Sequence, residues 1–358
     1  MRLVLGGNMK LRRLAALVLA GVLCLTTLVG CGSGAKASDT IATLGNEKVS
    51  FGVANFIIKY QKASVDDMYA TYATMYGVDS LWSMDMTGSG STTEAQFKAE
   101  TMNMLHEMYT VKAHMADYGV ELTEEEKAEI TKAAKAFLAA NTKEALEELG
   151  ATEEIVTEVL TLYTIQAKMF EAMTADVDTV VSDEEANMRG FSMIEIDLTG
   201  HNDENSQWVE YTEEEIAAIK NKVLGMELDL KVKSMEDVAK ENNYEVVSDT
   251  YHREDKAMNA TWITALNALA EGEVSDRVET DSAIYFFRID KDVDEAATEQ
   301  NRQTIIAERE YTAYEEAVKK LQENDGWKVE TKLLNEIDFR NSFTIYPETE
   351  SVEGTESK

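Results

Sequence analysis

The sequence predicts an α+β protein: a mainly helical body that carries one small inserted α/β unit. Three observations predict it. A single proline, Pro347, occurs in 358 residues, so little interrupts long helices. Most of the chain repeats apolar residues at helical spacing. Between the helical stretches stand two alternating runs, Phe191–Leu198 (FSMIEIDL) and Ile284–Ile289, which read as strands at either end of a strand–helix–helix–strand unit.

The chain opens with a leader, residues 1–30. Met9 is the better start; it places Lys10, Arg12 and Arg13 before the apolar run Leu14–Val29. Cys31 follows Leu28-Val29-Gly30, which resembles the lipobox of bacterial lipoproteins, where the cysteine is lipidated and becomes the mature N-terminus. An ordinary signal peptide or a membrane span are the alternatives, and the run is short for a span. Cys24 is the other cysteine and lies in the leader, so a protein lipidated at Cys31 has no thiol left for a disulfide or a metal. Residues 31–38 read as a Gly/Ser/Ala tether. The net charge is −33, and about −37 once the four basic residues of the leader are removed. Such a body has no clustered Lys and Arg for nucleic acid, and an anionic membrane surface repels it.

A helical domain is expected over 39–180. Thr40–Ser50 alternates around Gly45-Asn46 as a hairpin or extended lead-in. Phe51–Tyr76 reads as helix, Gly88–Ser91 as a loop, and Glu94–Tyr118 as a helix stopped at Gly119. Thr123 and Glu126 form a capping box that opens Glu124–Asn141. Glu153–Ala175 is apolar on two sides. The inserted unit is expected over 181–292, opened by the capping pair Ser182 and Glu185. It contains the first strand, a polar loop His201–Glu210, helices Thr212–Val232 and Met235–Asn242, a short strand Tyr244–Val247, a helix Ala257–Ala270 and the closing strand. Residues 293–340 hold a long helix, Thr298–Asn324, which returns to the first helices. Residues 341–358 read as a disordered tail.

These segments, in this order, resemble the PrsA-type foldase lipoproteins and the related SurA-type periplasmic chaperones. The resemblance rests on Ala42–Ser50 (ATLGNEKVS), Tyr118–Glu126 (YGVELTEEE), Ser234–Lys240 (SMEDVAK) and Leu269–Ser275 (LAEGEVS). It implies a helical chaperone domain with an inserted parvulin-type peptidyl-prolyl isomerase domain. Twisting an X–Pro amide costs about 20 kcal/mol and breaks no bond. Catalysis therefore needs an apolar slot for the proline ring and a polar wall for the twisting carbonyl. In parvulins the slot is a Met and an aromatic one turn apart; Met258 and Trp262 match them, and Leu266 and Tyr285 complete the expected substrate-binding set. The family's polar wall is a histidine pair. Its two positions fall at Met193 and Tyr285 here, and the Gly-rich turn is replaced by Ser248–Arg253 (SDTYHR), where Asp249 stands at too disturbed a spacing to be assigned the acidic role. No catalytic residue is therefore assigned.

Each feature also has a plainer reading. An i, i+4 apolar pair is usually core. His106 and His114 lie on helices, and His201 and His252 in loops; no two have metal-ligand spacing, so neither metal nor cofactor is expected. Twelve of the seventeen Met lie between Met68 and Met193, with many Tyr. Met at helical spacing is commonly core, but an excess suits a cleft that takes varied apolar peptides. The resulting expectation is a bacterial folding factor on the outer face of the cell membrane, anchored through lipid on Cys31. Its partners would be unfolded or partly folded exported polypeptides, with weak or absent isomerase activity. An active prolyl isomerase and a solute-binding lipoprotein with two α/β lobes are the alternatives.

Overall fold

The computed structural model describes residues 34–345, so the leader and Cys31 lie outside the described residues. The fold is α+β and divides into two units, residues 178–309 and the remainder on either side of them. In the larger unit, β1 (Thr40–Leu44) and β2 (Glu47–Ser50) form an antiparallel hairpin around Gly45. Ser50 then caps α1 (Phe51–Tyr76), its hydroxyl accepting from Val53 N at 3.2 Å. The first half of α1 is core: Val53, Ala54, Phe56, Ile57 and Ile58 are buried. Gly52 lets this end approach a neighbour closely, since a Cβ there would lie 2.7 Å from Ile155 Cδ1.

The next helices are α2 (Thr93–Ala113), α3 (Glu124–Ala140), α4 (Lys143–Leu149) and α5 (Glu153–Met173). The Thr123–Glu126 capping box forms as the sequence predicts. The helix expected to run unbroken to Tyr118 does not. It ends at Ala113, because His114 leaves helical geometry with its Nδ1 2.7 Å from Asp117 Oδ2, and a 3₁₀ turn, Met115–Tyr118, completes the stretch.

The smaller unit begins with the short turn α6 (Asp183–Ala186), capped by Ser182. Its centre is a four-stranded antiparallel sheet in the order β6-β3-β8-β7, built from β3 (Arg189–Asp197), β6 (Val246–Tyr251), β7 (Val278–Glu279) and β8 (Ala283–Lys291). Side chains alternate between its two faces. Ile194, Ile196, Ile284 and Phe286 meet α7 (Glu213–Asp229) and α8 (Met235–Asn242) through Val223, Met226, Met235 and Val238. Phe191, Tyr285, Phe287 and Ile289 meet α9 (Ala260–Asn267) through Leu266, with Trp262 and Ile263 beside it.

Three segments of this unit differ from expectation. The loop His201–Glu210 contains a small hairpin, β4 (Gly200–Asn202) with β5 (Trp208–Glu210), closed by Asp203 accepting from Asn205 N and Gln207 N, each at 2.8 Å. The short strand runs Val246–Tyr251 rather than Tyr244–Val247. Asn243, at φ 60°, ends α8 in the left-handed region, and pairing with β3 starts at Val246. The helix expected over Ala257–Ala270 is only Ala260–Asn267. Asp255 Oδ1 accepts from Ala257 N and Met258 N and holds both outside the helix, and Asn259 caps it.

Arg189 fixes the other end of α9. Its guanidinium is fully buried and donates to Tyr251 Oη (2.7 Å), Leu266 O (3.0 Å), Leu269 O (2.8 Å) and Asp292 Oδ1 (3.1 Å from Nε). A guanidinium can satisfy so many acceptors at once because its donors form a rigid planar fork.

α10 (Glu295–Gln322) begins in the smaller unit and ends in the larger. There Tyr314 and Val318 pack with Val111, Ile165 and Met169, and Tyr314 Oη donates to Glu107 at 2.8 Å. β9 (Lys328–Val329) adds a third strand beside β1, and α11 (Thr331–Glu336) follows. The tail predicted to be disordered from Asn341 is instead placed through Ile345, with Phe343 and Ile345 packed on the helical core; the rest of it lies outside the described residues.

Arg189→Met should destabilise the smaller unit by about 3 kcal/mol, because it leaves buried acceptors unpaired. Urea unfolding followed by tryptophan fluorescence checks this. A change under about 0.5 kcal/mol would contradict the role given to this residue.

Candidate peptide-binding surfaces

The residues singled out in the smaller unit come together on one sheet face. Met193 and Glu195 of β3 alternate with the buried Ile194 and Ile196, so they share the face of Phe287 and Tyr285. The register pairs Met193 with Phe287 and Glu195 with Tyr285. Met193 and Tyr285 therefore stand one pair apart, diagonal rather than directly opposite. Trp262 stands over them, its ring 4.7 Å from Tyr285 and 5.5 Å from Phe287, both edge-on. Met258 packs on the same cluster from the segment before α9. Because it precedes the helix, Met258 does not share a helix face with Trp262 as the spacing predicts.

This cluster is closely packed. Leu266 is wholly buried and Tyr285 is 6 % exposed. Trp262 Nε1 is buried without a hydrogen-bond partner among the described residues. A groove of about 530 Å³ lies beside the cluster. It is lined by Ala260, Thr261, Thr264 and Ala265 of the helix and by Arg277, Val278 and Glu279 of the facing segment. Trp262 is not among its lining residues.

The polar component of the face is a pair that the motif comparison passed over. Tyr285 Oη donates to Glu195 Oε1 at 3.2 Å. Burial and the neighbouring carboxylate push the Tyr285 phenol up to about 12, so it is neutral at physiological pH. Glu195 could have been found from the strand pattern alone, since FSMIEIDL puts a carboxylate two residues after Met193 on the same face. The pair offers one donor already committed to one acceptor. Nothing on this face supplies the two-histidine wall. His106 lies against Asp325 (2.6 Å) and is stacked on Trp327, and His114 bonds Asp117. His201 stacks on Tyr211, and His252 approaches Glu184 O. Asp249 is placed opposite Phe191 on the edge strand β6, and its carboxylate accepts from Thr250 N. No cluster of His, Cys, Asp and Glu among the described residues could hold a metal ion.

The larger unit presents a different surface. Met102, Met108 and Met169 are buried core, so part of the Met excess is packing. The second half of α1 is not. Met68, Tyr72, Met75 and Tyr76 are 42 %, 44 %, 74 % and 67 % exposed. Their spacing, i, i+4, i+7 and i+8, puts them on one helix face. Met86 is also half exposed. The neighbouring side of the same half-helix is anchored: Asp66 accepts from Trp82 Nε1 at 2.9 Å, and the Tyr69 and Trp82 rings lie 4.5 Å apart.

The Tyr285 phenol is open to a direct check. Its raised value means that its contribution to stability is complete below pH 10 and is lost as pH rises towards 12. Carbon-13 NMR of labelled tyrosine should show this phenol titrating near 12, and Glu195→Gln should bring it down. Titration near 10 in the unmodified protein would contradict the pairing.

No protein-family model matches the chain, and no curated protein matches it in sequence. Solved structures do match. The foldase protein PrsA of Lactococcus lactis is 15 % identical, covering 84 % of this chain and 99 % of its own, with a TM-score of 0.32. The peptidylprolyl isomerase PrsA of Bacillus cereus is 14 % identical over 84 % and 98 %, with a TM-score of 0.31. A SurA-like chaperone of Campylobacter jejuni is 10 % identical over 81 % and 98 %, with a TM-score of 0.27. These are proteins of the kinds that the sequence motifs resemble, and the chain is similar to them.

Proposed function

We propose that this protein is an extracytoplasmic folding factor that holds unfolded polypeptides, anchored to the outer face of the membrane through lipid on Cys31. In this reading residues 39–180 with the returning segment 293–340 are the chaperone domain. The parvulin-like domain, 181–292, is a second binding module with weak or no isomerase activity. The observation that carries the reading is the exposed stripe Met68, Tyr72, Met75 and Tyr76 on α1. A folded protein gains nothing in its own core from four large apolar side chains in water. Flexible Met and amphipathic Tyr accommodate varied apolar sequences with little penalty for imperfect fit. The high negative charge keeps such a surface soluble and biases it towards clients with basic segments.

Within the second module, the partly buried Met258 and Trp262 would supply apolar contact, backed by the packed Leu266 and Tyr285. Three features argue against efficient isomerisation there. Trp262 packs directly on Tyr285 and Phe287, the phenol is committed to Glu195, and the histidine pair is replaced by Met193 and Tyr285. The solute-binding alternative requires two α/β lobes. The described residues contain one small α/β unit and one helical unit, which does not favour it. Among the described residues no helix is long and apolar enough to cross a membrane.

Replacing Met68, Tyr72, Met75 and Tyr76 together by serine should leave the melting temperature nearly unchanged, since exposed positions contribute little to stability. The same change should raise at least fivefold the protein concentration needed to suppress aggregation of a chemically unfolded client. Unaltered suppression by a folded variant would overturn the reading.

A further inference from the structure

The last described segment of the chain, 338–345, runs along the helical unit outside any helix or strand. Phe339, Phe343 and Ile345 turn towards the core, while Arg340, Asn341, Ser342 and Thr344 are exposed. Phe339 is held firmly. It is 6 % exposed, its ring 4.8 Å from Trp82 and 5.8 Å from Phe97, with the Lys62 and Lys98 ammoniums 5.7 and 5.3 Å from its centre.

Beyond Phe339 the attachment changes character. Lys62 is 1 % exposed, paired with Asp66, and donates to the Asn341 carbonyl at 3.0 Å. Asn341 Nδ2 donates to Glu148 Oε1 of α4 at 2.7 Å, and Glu148 also pairs with Lys59 at 3.0 Å. Phe343 and Ile345 are only partly buried. Among the described residues no backbone–backbone hydrogen bond joins 338–345 to another segment. A stretch held by one buried ammonium, one amide and two half-buried side chains belongs to the least stable part of a fold.

A buried lysine beside one carboxylate and one main-chain carbonyl has donors that any extended chain could engage. Its site carries no requirement for a particular side chain at the residue whose carbonyl it binds.

We propose that residues 341–345 are an intramolecular occupant of a second peptide-binding site, formed by Lys62 and Glu148 with the adjoining apolar surface of the helical core. The ligand is an extended polypeptide that presents a main-chain carbonyl to Lys62 and apolar side chains two and four residues further on. Clients with that pattern displace the strap, while Phe339 stays docked and acts as the hinge. The client identity rests on the folding-factor reading above. The site itself does not, because its occupant is this chain's own segment.

The test uses the full chain and a fluorescein-labelled peptide of residues 338–347. The protein carrying Phe343→Ala and Ile345→Ala should bind this peptide at least tenfold more tightly than the unmodified protein, by fluorescence anisotropy. Ser342→Ala with Thr344→Ala should leave binding within twofold. A second arm replaces Asn341 and Glu148 by cysteine, with Cys24 and Cys31 changed to serine, and bridges them with a short bis-maleimide. The bridged protein should bind the peptide at least tenfold more weakly than the unbridged one. Equal binding by the unmodified and Phe343/Ile345 proteins, or bridging without effect, would overturn the proposal. Binding of the peptide that no unfolded client can compete away would leave the site standing and sink the client reading instead.

Discussion

The ladder between β3 and β8 governs what the smaller unit can do. It pairs Gly190 through Asp197 with Lys291 through Ala283, and so assigns every side chain of both strands to one of two faces. A slip of one residue would send Ile194, Ile196, Ile284 and Phe286 away from α7 and α8 and bring Glu195 into the core. Burial on both faces therefore locks the register. The locked register places Glu195 opposite Tyr285 and Met193 one pair away. Arg189, at the start of the same strand, ties the far end of α9 to this sheet and so sets how Trp262 lies on the aromatic face. The chemistry of the face is a consequence of packing that would exist without it.

An aromatic cluster with one phenol–carboxylate pair is well suited to contact with apolar side chains and poorly suited to stabilising a twisted amide. Desolvation around a bound proline would still lower the rotational barrier somewhat, but the strong electrostatic contribution needs donors aimed at the carbonyl. Tyr285 already donates to Glu195. In the larger unit the apolar groups divide differently. Core methionines pack among the helices, and the free half of α1 exposes its own set to water. The described residues of the two units thus differ in how they hold their apolar groups, packed on a sheet face in one and partly exposed on a helix in the other.

Much of the fold was legible in the sequence because its signals are local. Phe51–Tyr76 forms α1 as the apolar spacing implies. The Thr123–Glu126 box opens α3, and the alternation of FSMIEIDL is β3. What could not be read depends on partners far along the chain. β9 is two residues long and exists because β1, nearly three hundred residues earlier, accepts it. The strap after Phe339 looks like polar tail until Lys62 and Glu148 are placed beside it. At the aromatic face, Trp262 and Tyr285 were singled out by the family resemblance and Leu266 by its place on the helical stripe, whereas the shortening of α9 depends on Asp255 and Asn259, whose side chains compete for backbone N–H groups. Glu195 is legible in the strand pattern on the face of Met193, but no family motif marks it.

The rate at which the full chain accelerates a refolding reaction limited by X–Pro isomerisation distinguishes a binding surface from an active site most directly. Such phases take tens to hundreds of seconds unaided. The predicted result is suppression of client aggregation with the slow phase accelerated less than about twofold at equimolar protein. Acceleration of a hundredfold or more that Trp262→Ala abolishes would contradict it, and would make the aromatic face a working active site.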